Sequence, residues 1–112
     1  MPDSKMITLL NTSIITEDGY YWRRATTLDQ VIAMLAEEGF FVQSAIGHKS
    51  TADILTELLG IPVEVNRMQY RQQAEDVAIV FQLNERPEEG KILSREEIEE
   101  IGYSFKVLYR VN

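Results

Sequence analysis

The chain has 112 residues, 45% hydrophobic and 26% charged, the composition of one soluble globular domain spanning 1–112. It contains no cysteine and one histidine, His48, which excludes disulfides, thiolate metal sites, cysteine nucleophiles and a multi-histidine metal site within one chain. Eighteen acidic against 11 basic residues give a net charge of −7. That argues against a duplex-DNA binder, whose affinity comes from basic contacts to phosphates, yet leaves room for a small anion held by a few local cations.

Met6–Leu10 is an apolar run too short for a helix and reads as a buried central strand. Glu17-Asp18-Gly19 is a turn into a second strand over Tyr20–Arg24. Thr27 is an expected N-cap with Gln30 as its capping-box partner; Leu28, Val31, Ile32 and Leu35 follow at helical spacing, and Gly39 is the expected stop. Phe40–Ala45 reads as a short strand. A second helix is expected from Ser50 or Thr51, with Ile54, Leu55, Leu58 and Leu59 on its apolar face and Gly60 ending it. Pro62–Asn66 reads as a short extended stretch. Val77–Leu83 alternates as a strand, with Val77, Ile79, Phe81 and Leu83 on one side. Ser94 and Glu97 form a capping box with Leu93 and Ile98 as a hydrophobic staple, Gly102 ends this third helix, and Phe105–Val111 closes the chain as a strand. The order β-β-α-β-α-β-β-α-β predicts an α/β domain: a mixed β-sheet flanked by about three helices.

No apolar run reaches the roughly 18 residues of a membrane span, and Met1–Lys5 lacks the features of a signal peptide. No membrane partner and a cytoplasmic location are therefore expected. A domain of this size leaves little room for an internal cavity, so a site is expected on the surface or between subunits.

The most informative stretch for chemistry is Ser44-Ala45-Ile46-Gly47-His48-Lys49-Ser50-Thr51, between a strand and a helix start. Gly47 lets backbone approach a ligand or turn sharply. The amides of Lys49, Ser50 and Thr51 would leave the helix N-terminus as an anion site, with His48 at its lip, and histidine is the side chain suited to proton transfer near neutral pH. Read structurally, Ser50 is only an N-cap and His48 a loop residue. The stretch Asn84–Lys91 follows a strong strand as a loop: Arg86 offers a forked contact to phosphate, and Glu88 and Glu89 can orient it or move a proton, whereas the bland reading is a solvated turn. Gln82, on the inner pattern of an apolar strand, needs a partner or a site to serve. Arg67 adds a cation near a strand end. Tyr20, Tyr21 and Trp22 read as core or interface packing rather than base-stacking groups.

Leu9-Leu10-Asn11-Thr12-Ser13, Ser44–Thr51, Val65-Asn66-Arg67, Arg86–Leu93 and Ile101-Gly102-Tyr103 occur in this order. Together they resemble the small viral ring nucleases that act as type III anti-CRISPR proteins, which have relatives in bacteria and on plasmids. The Ile-Gly-His-x-Ser-Thr and Arg-x-x-Glu-Gly-Lys blocks carry most of the resemblance, which spans nearly the whole chain. It implies a homodimer that cleaves cyclic tetra-adenylate, the second messenger of type III CRISPR complexes, without metal or other cofactor. Carried over, the catalytic histidine falls on His48, the phosphate-contacting arginine on Arg86 and the loop glutamate on Glu89. Ligand contacts are expected from Asn11 and Ser13, from Gly47, Ser50 and Thr51 at the helix start, and from Arg67 and Gln82. The alternative is a binding module that sequesters a nucleotide or protein partner without turnover, which would need the arginines but not the histidine; a purely structural dimer would need neither.

Overall fold

The computed structural model describes residues 5–12, 15, 17–37, 40–85 and 93–112. Their elements are β1 (Lys5–Leu10), β2 (Tyr21–Thr26), α1 (Leu28–Leu35), β3 (Phe40–Ser44), α2 (Lys49–Leu59), β4 (Val77–Leu83), α3 (Arg95–Ile101) and β5 (Tyr103–Arg110). They form one mixed sheet in the order β2-β5-β4-β1-β3. β1 is parallel to both neighbours, so Ile7 lies opposite Val42 on one side and Val77 on the other. β5 is antiparallel to β4, with Gln82 opposite Ser104, and β2 is antiparallel to β5.

β1, apolar over Met6–Leu10 except for Thr8, whose hydroxyl accepts from Gln43 Nε2 at 2.8 Å, and β4, apolar from Val77 to Phe81, have the composition that a strand buried on both faces requires. Ile7, Leu9, Ile79, Phe81 and Phe105 face a layer of helices, where they meet Val31 of α1, Ile54, Leu55 and Leu58 of α2, and Ile98 of α3. Leu10, Ala78, Val80 and Leu108 face the other way, against Tyr70. No helix covers this second face among the described residues. The irregular chain over 61–76 crosses it instead, and Gln72 fastens it: its buried Nε2 donates to the carbonyls of Asp76 and Leu108, both at 2.8 Å.

Several expectations need correction. Pro62–Asn66 is not a strand. Pro62 has no N–H to give a ladder, and the bonds of this stretch go to α2, the end of β3 and the loop between them: the Val63 amide donates to Thr56 Oγ1 at 2.9 Å, Ser44 Oγ donates to the Glu64 carbonyl at 2.6 Å and the Asn66 amide to the Ile46 carbonyl at 2.8 Å. Helix α2 starts at Lys49 with His48, not Ser50, as N-cap. Helix α1 ends at Leu35 with Ala36 as C-cap, before Gly39, which lies outside the described residues. Its cap is half the expected box: the Gln30 amide donates to Thr27 Oγ1 at 3.2 Å, but the Gln30 side chain accepts from Thr26 Oγ1. The Ser94–Glu97 capping box is complete, and β5 begins two residues earlier than expected, at Tyr103. Gly60 takes φ 71°, the left-handed turn that ends α2 and that glycine adopts without steric cost.

Candidate functional site

The three parallel strands run in one direction, so their carboxyl ends, Leu10, Ser44 and Leu83, lie at one edge of the sheet. Such edges are where open α/β sheets hold ligands, because the strand-to-helix loops converge there. A cleft of about 480 Å³ opens at this edge. Asn11 enters it from the end of β1, His48 and Thr51 from the start of α2, and Gln82, Asn84 and Glu85 from the end of β4; Ser104 completes it from β5. Ile54, Phe81 and Leu83 give it an apolar side. A second hollow, of about 630 Å³, adjoins it and shares Asn11 and His48; Gly47, Arg67 and Gln69 are among its walls.

His48 sits at the junction for a local reason. Its backbone is extended (φ −126°, ψ 133°) while its carbonyl already accepts the first helical bond, from the Ala52 amide at 3.1 Å. An N-cap serine, threonine or asparagine would fold its side chain back onto the amides of the first turn; His48 makes no such bond. The amides of Lys49, Ser50 and Thr51 therefore have no acceptor among the described residues, and they lie at the positive end of the helix dipole. The Lys49 ammonium does not add to this site: it pairs on the exposed surface with Asp53 at 3.1 Å.

The loop that carries His48 is held from behind. Asn66 Nδ2 donates to the Ser44 carbonyl at 2.7 Å, and Arg67 Nε donates to the Gly47 carbonyl at 2.9 Å. Gly47 itself has no left-handed backbone, and a Cβ there would meet only Arg67 Cγ, at 3.8 Å, an ordinary contact. Of the two roles open to Gly47, no left-handed turn is made; the glycine leaves the wall of the hollow bare. Gly102 is the conformationally demanding glycine: at φ 84°, ψ 152°, a backbone region that side chains rarely reach, its carbonyl accepts from the Asn84 amide at 2.9 Å. A Cβ on Gly102 would come within 2.5 Å of Asn84 Nδ2, so this residue keeps Asn84 where the cleft is lined.

Of the residues singled out in the sequence, Asn11, His48, Thr51 and Gln82 share the cleft, and Gly47 and Arg67 join Asn11 and His48 in the adjoining hollow. Ser50 lines neither. Ser13, Arg86 and Glu89 lie outside the described residues; Glu85, immediately before that stretch, is on the cleft wall. Gln82 is exposed to the cleft rather than buried against a partner. Ser104 was missed. The signal for it is its register: it stands directly opposite Gln82 in the β4–β5 ladder, a polar pair in an otherwise apolar stretch. Among the described residues no three His, Asp or Glu side chains gather as a metal site, and no helix is long and apolar enough to cross a membrane. The two tyrosines whose hydroxyls are pushed above their ordinary range do not line the cleft: Tyr70 is raised by burial, and Tyr103 by burial and then by Glu99, to which it donates at 3.0 Å.

Comparison with known proteins gives a consistent result. Residues 7–105 match the family described as STIV B116-like. An uncharacterised Bacillus subtilis protein, YddF, is 39% identical over 106 residues, covering 95% of this chain and 98% of that protein. An uncharacterised protein of Sulfolobus islandicus filamentous virus is 35% identical over 79 residues, 70% of this chain and 65% of the viral protein. The solved structure of B116 of Sulfolobus turreted icosahedral virus superposes with a TM-score of 0.76 at 23% identity, covering 95% of this chain and 99% of that one, which is a likeness of fold.

Proposed function

The chain belongs to the STIV B116-like family, and from that premise we propose that it is a metal-independent ring nuclease that opens cyclic tetra-adenylate and so silences type III CRISPR signalling in the cytoplasm. The observation that supports this reading best is the polar cleft at the carboxyl edge of the sheet. There the chain's one histidine stands beside helix-start amides without an acceptor among the described residues and the side chains of Asn11, Thr51, Gln82 and Ser104. Motif resemblance adds Arg86 and Glu89, which follow the cleft residue Glu85 in sequence.

The chemistry asks little else of the protein. RNA brings its own nucleophile: the ribose 2′-oxygen attacks the adjacent phosphorus, the bond from phosphorus to the 5′-oxygen breaks, and a 2′,3′-cyclic phosphate is left. The 2′-hydroxyl proton passes to Glu89 or to water. The departing 5′-oxygen takes a proton from His48, general-acid help worth roughly 10²–10⁴-fold. The fork of Arg86 and the amides of Lys49, Ser50 and Thr51 stabilise charge on the phosphoryl oxygens as it develops. Asn11, Gln82 and Ser104 supply donors and acceptors for ribose or adenine, with Phe81 and Ile54 as the apolar side of the cleft. The cleft is open and shallow for a ring of four nucleotides. Two copies related by a twofold axis would enclose the ring with one His48 per half and cut it at opposite phosphates into two linear di-adenylates.

The rival reading is a module that sequesters the ring intact. A multiple-turnover assay with the ring in tenfold excess over protein separates them. Product beyond one ring per dimer supports the enzyme; stoichiometric retention of the unbroken ring supports sequestration and overturns the proposal.

A further inference from the structure

The helix layer leaves one end of the sheet uncovered. Helix α1 has only eight residues, and beyond it the helix-side faces of β2 and β5 carry Trp22 opposite Tyr109 and Arg24 opposite Val107. With Met34 and Val111 these residues line an open groove of about 710 Å³, a volume typical of small-molecule sites. The groove reaches β4 at Val77, the first residue of that strand, whereas the His48 cleft is built on its last residues. The two sites are therefore at opposite ends of the sheet.

The lining is mostly apolar; Thr26 and Gln30, bonded to each other, and Arg24 are its polar side chains. Among the described residues no acidic side chain contributes to it, and Arg24 is its single charge. The Arg24 guanidinium stands 5.4 Å from the centroid of the Trp22 ring, and among the described residues it pairs with no carboxylate. What sets Arg24 apart is its place, on an apolar wall beside the half-exposed Trp22. Arginine over an aromatic face keeps its edge free to bind an oxyanion in a forked geometry, and the low polarity around it strengthens that contact.

We propose that this groove is a binding site for a small amphiphilic anion: an apolar body bearing a single carboxylate. The body covers Trp22, Val107 and Tyr109, removing their apolar surface from water, and the carboxylate meets the outer edge of Arg24. An apolar peptide would fill the groove without giving Arg24 a counter-charge, and a second copy of the chain would fill it in proportion to protein concentration, so ligand charge and protein concentration are the discriminating variables.

Trp22 is the only tryptophan, so its emission reports occupancy of the groove directly. Dodecanoate, titrated below its micelle concentration, is expected to change Trp22 emission saturably, with a one-to-one stoichiometry by calorimetry. Dodecyltrimethylammonium, the same chain with the opposite charge, is expected to bind at least about tenfold more weakly. Arg24→Gln should bring dodecanoate down to the level of the cationic amphiphile. Ala33→Phe, which fills the groove from the exposed side of α1, should remove binding of both while leaving the circular dichroism spectrum unchanged. Equal affinity for the two amphiphiles, dodecanoate binding that survives either variant, or no saturable change in the folded protein would each overturn the proposal. Emission that follows protein concentration instead of ligand would assign the groove to a second copy and overturn it equally.

Discussion

Two helix starts in this molecule solve the same problem in opposite ways. Every helix begins with backbone amides that lack an intrahelical acceptor. At α3 the answer is internal: Ser94 Oγ accepts from the Glu97 amide at 3.2 Å, Glu97 Oε1 accepts from the Ser94 amide at 3.2 Å, and Leu93 and Ile98 seat the turn on the core. At α2 the N-cap is His48, which caps nothing, and the preceding loop is held from outside by Ser44, Asn66 and Arg67. A helix start that satisfies itself contributes stability and offers nothing to a ligand. One braced from behind, with amides open in front and a titratable side chain at the lip, is positioned for chemistry at some cost in local stability.

The sharpest way to break this comparison is to truncate each N-cap. His48→Ala is expected to lower single-turnover ring cleavage by roughly 10²-fold or more, as for loss of a general acid, with a much smaller effect on ring binding. A wild-type rate in this variant would return His48 to an ordinary loop residue. Arg86→Lys comes next, with cleavage slowed by about tenfold, because the ammonium retains the charge but loses the fork. Wild-type cleavage by both Arg86→Lys and Arg86→Ala would remove Arg86 from the site and take with it half of the motif resemblance.

Asn66→Ala tests the brace. It removes the bond to the Ser44 carbonyl and is expected to slow cleavage several-fold while lowering stability by about 1 kcal/mol; a stability loss with an unchanged rate would show that the brace is structural only. Ser94→Ala is the counterpart at α3: a loss of about 1 kcal/mol in denaturant unfolding and no change in cleavage. The smallest effect concerns Tyr103, whose hydroxyl proton burial and Glu99 hold more tightly in the folded chain. Above pH 10 the unfolded chain therefore loses that proton first, and stability falls as pH rises. Tyr103→Phe should make the alkaline fall less steep, with no change at neutral pH.

What the sequence disclosed of this molecule follows the physics of each element. The strands β1 and β4 and the start of α3 were legible because burial on both faces and reciprocal capping leave local signatures, an apolar run and a Ser-x-x-Glu pattern. The sequence places the start of α2 one to two residues late, since Ser50 and Thr51 have the composition of a cap and His48 does not. The sequence shows only an extended stretch at Pro62–Asn66 because most partners of the segment over 61–76 are distant in sequence: Ser44, Ile46 and Gly47 for its first part, Leu108 for Gln72. The same holds for the cleft. His48 and Gln82 stood out singly by residue type, but only the parallel pairing of β1 with β3 and β4 brings Asn11 beside them, and only the β4–β5 register supplies Ser104. The groove beside Trp22 had no sequence signature, because it arises from how short α1 is relative to the strands beneath it.

The central claim is that the cleft around His48 cuts a phosphodiester with protein groups and the substrate's own 2′-oxygen. The direct measurement is to incubate radiolabelled cyclic tetra-adenylate with the protein in EDTA and resolve the products. The account predicts conversion to linear di-adenylate ending in a 2′,3′-cyclic phosphate, at the same rate with or without the chelator. A ring that stays intact in EDTA and is cut only after a divalent metal is added, or products lacking the cyclic phosphate, would contradict it.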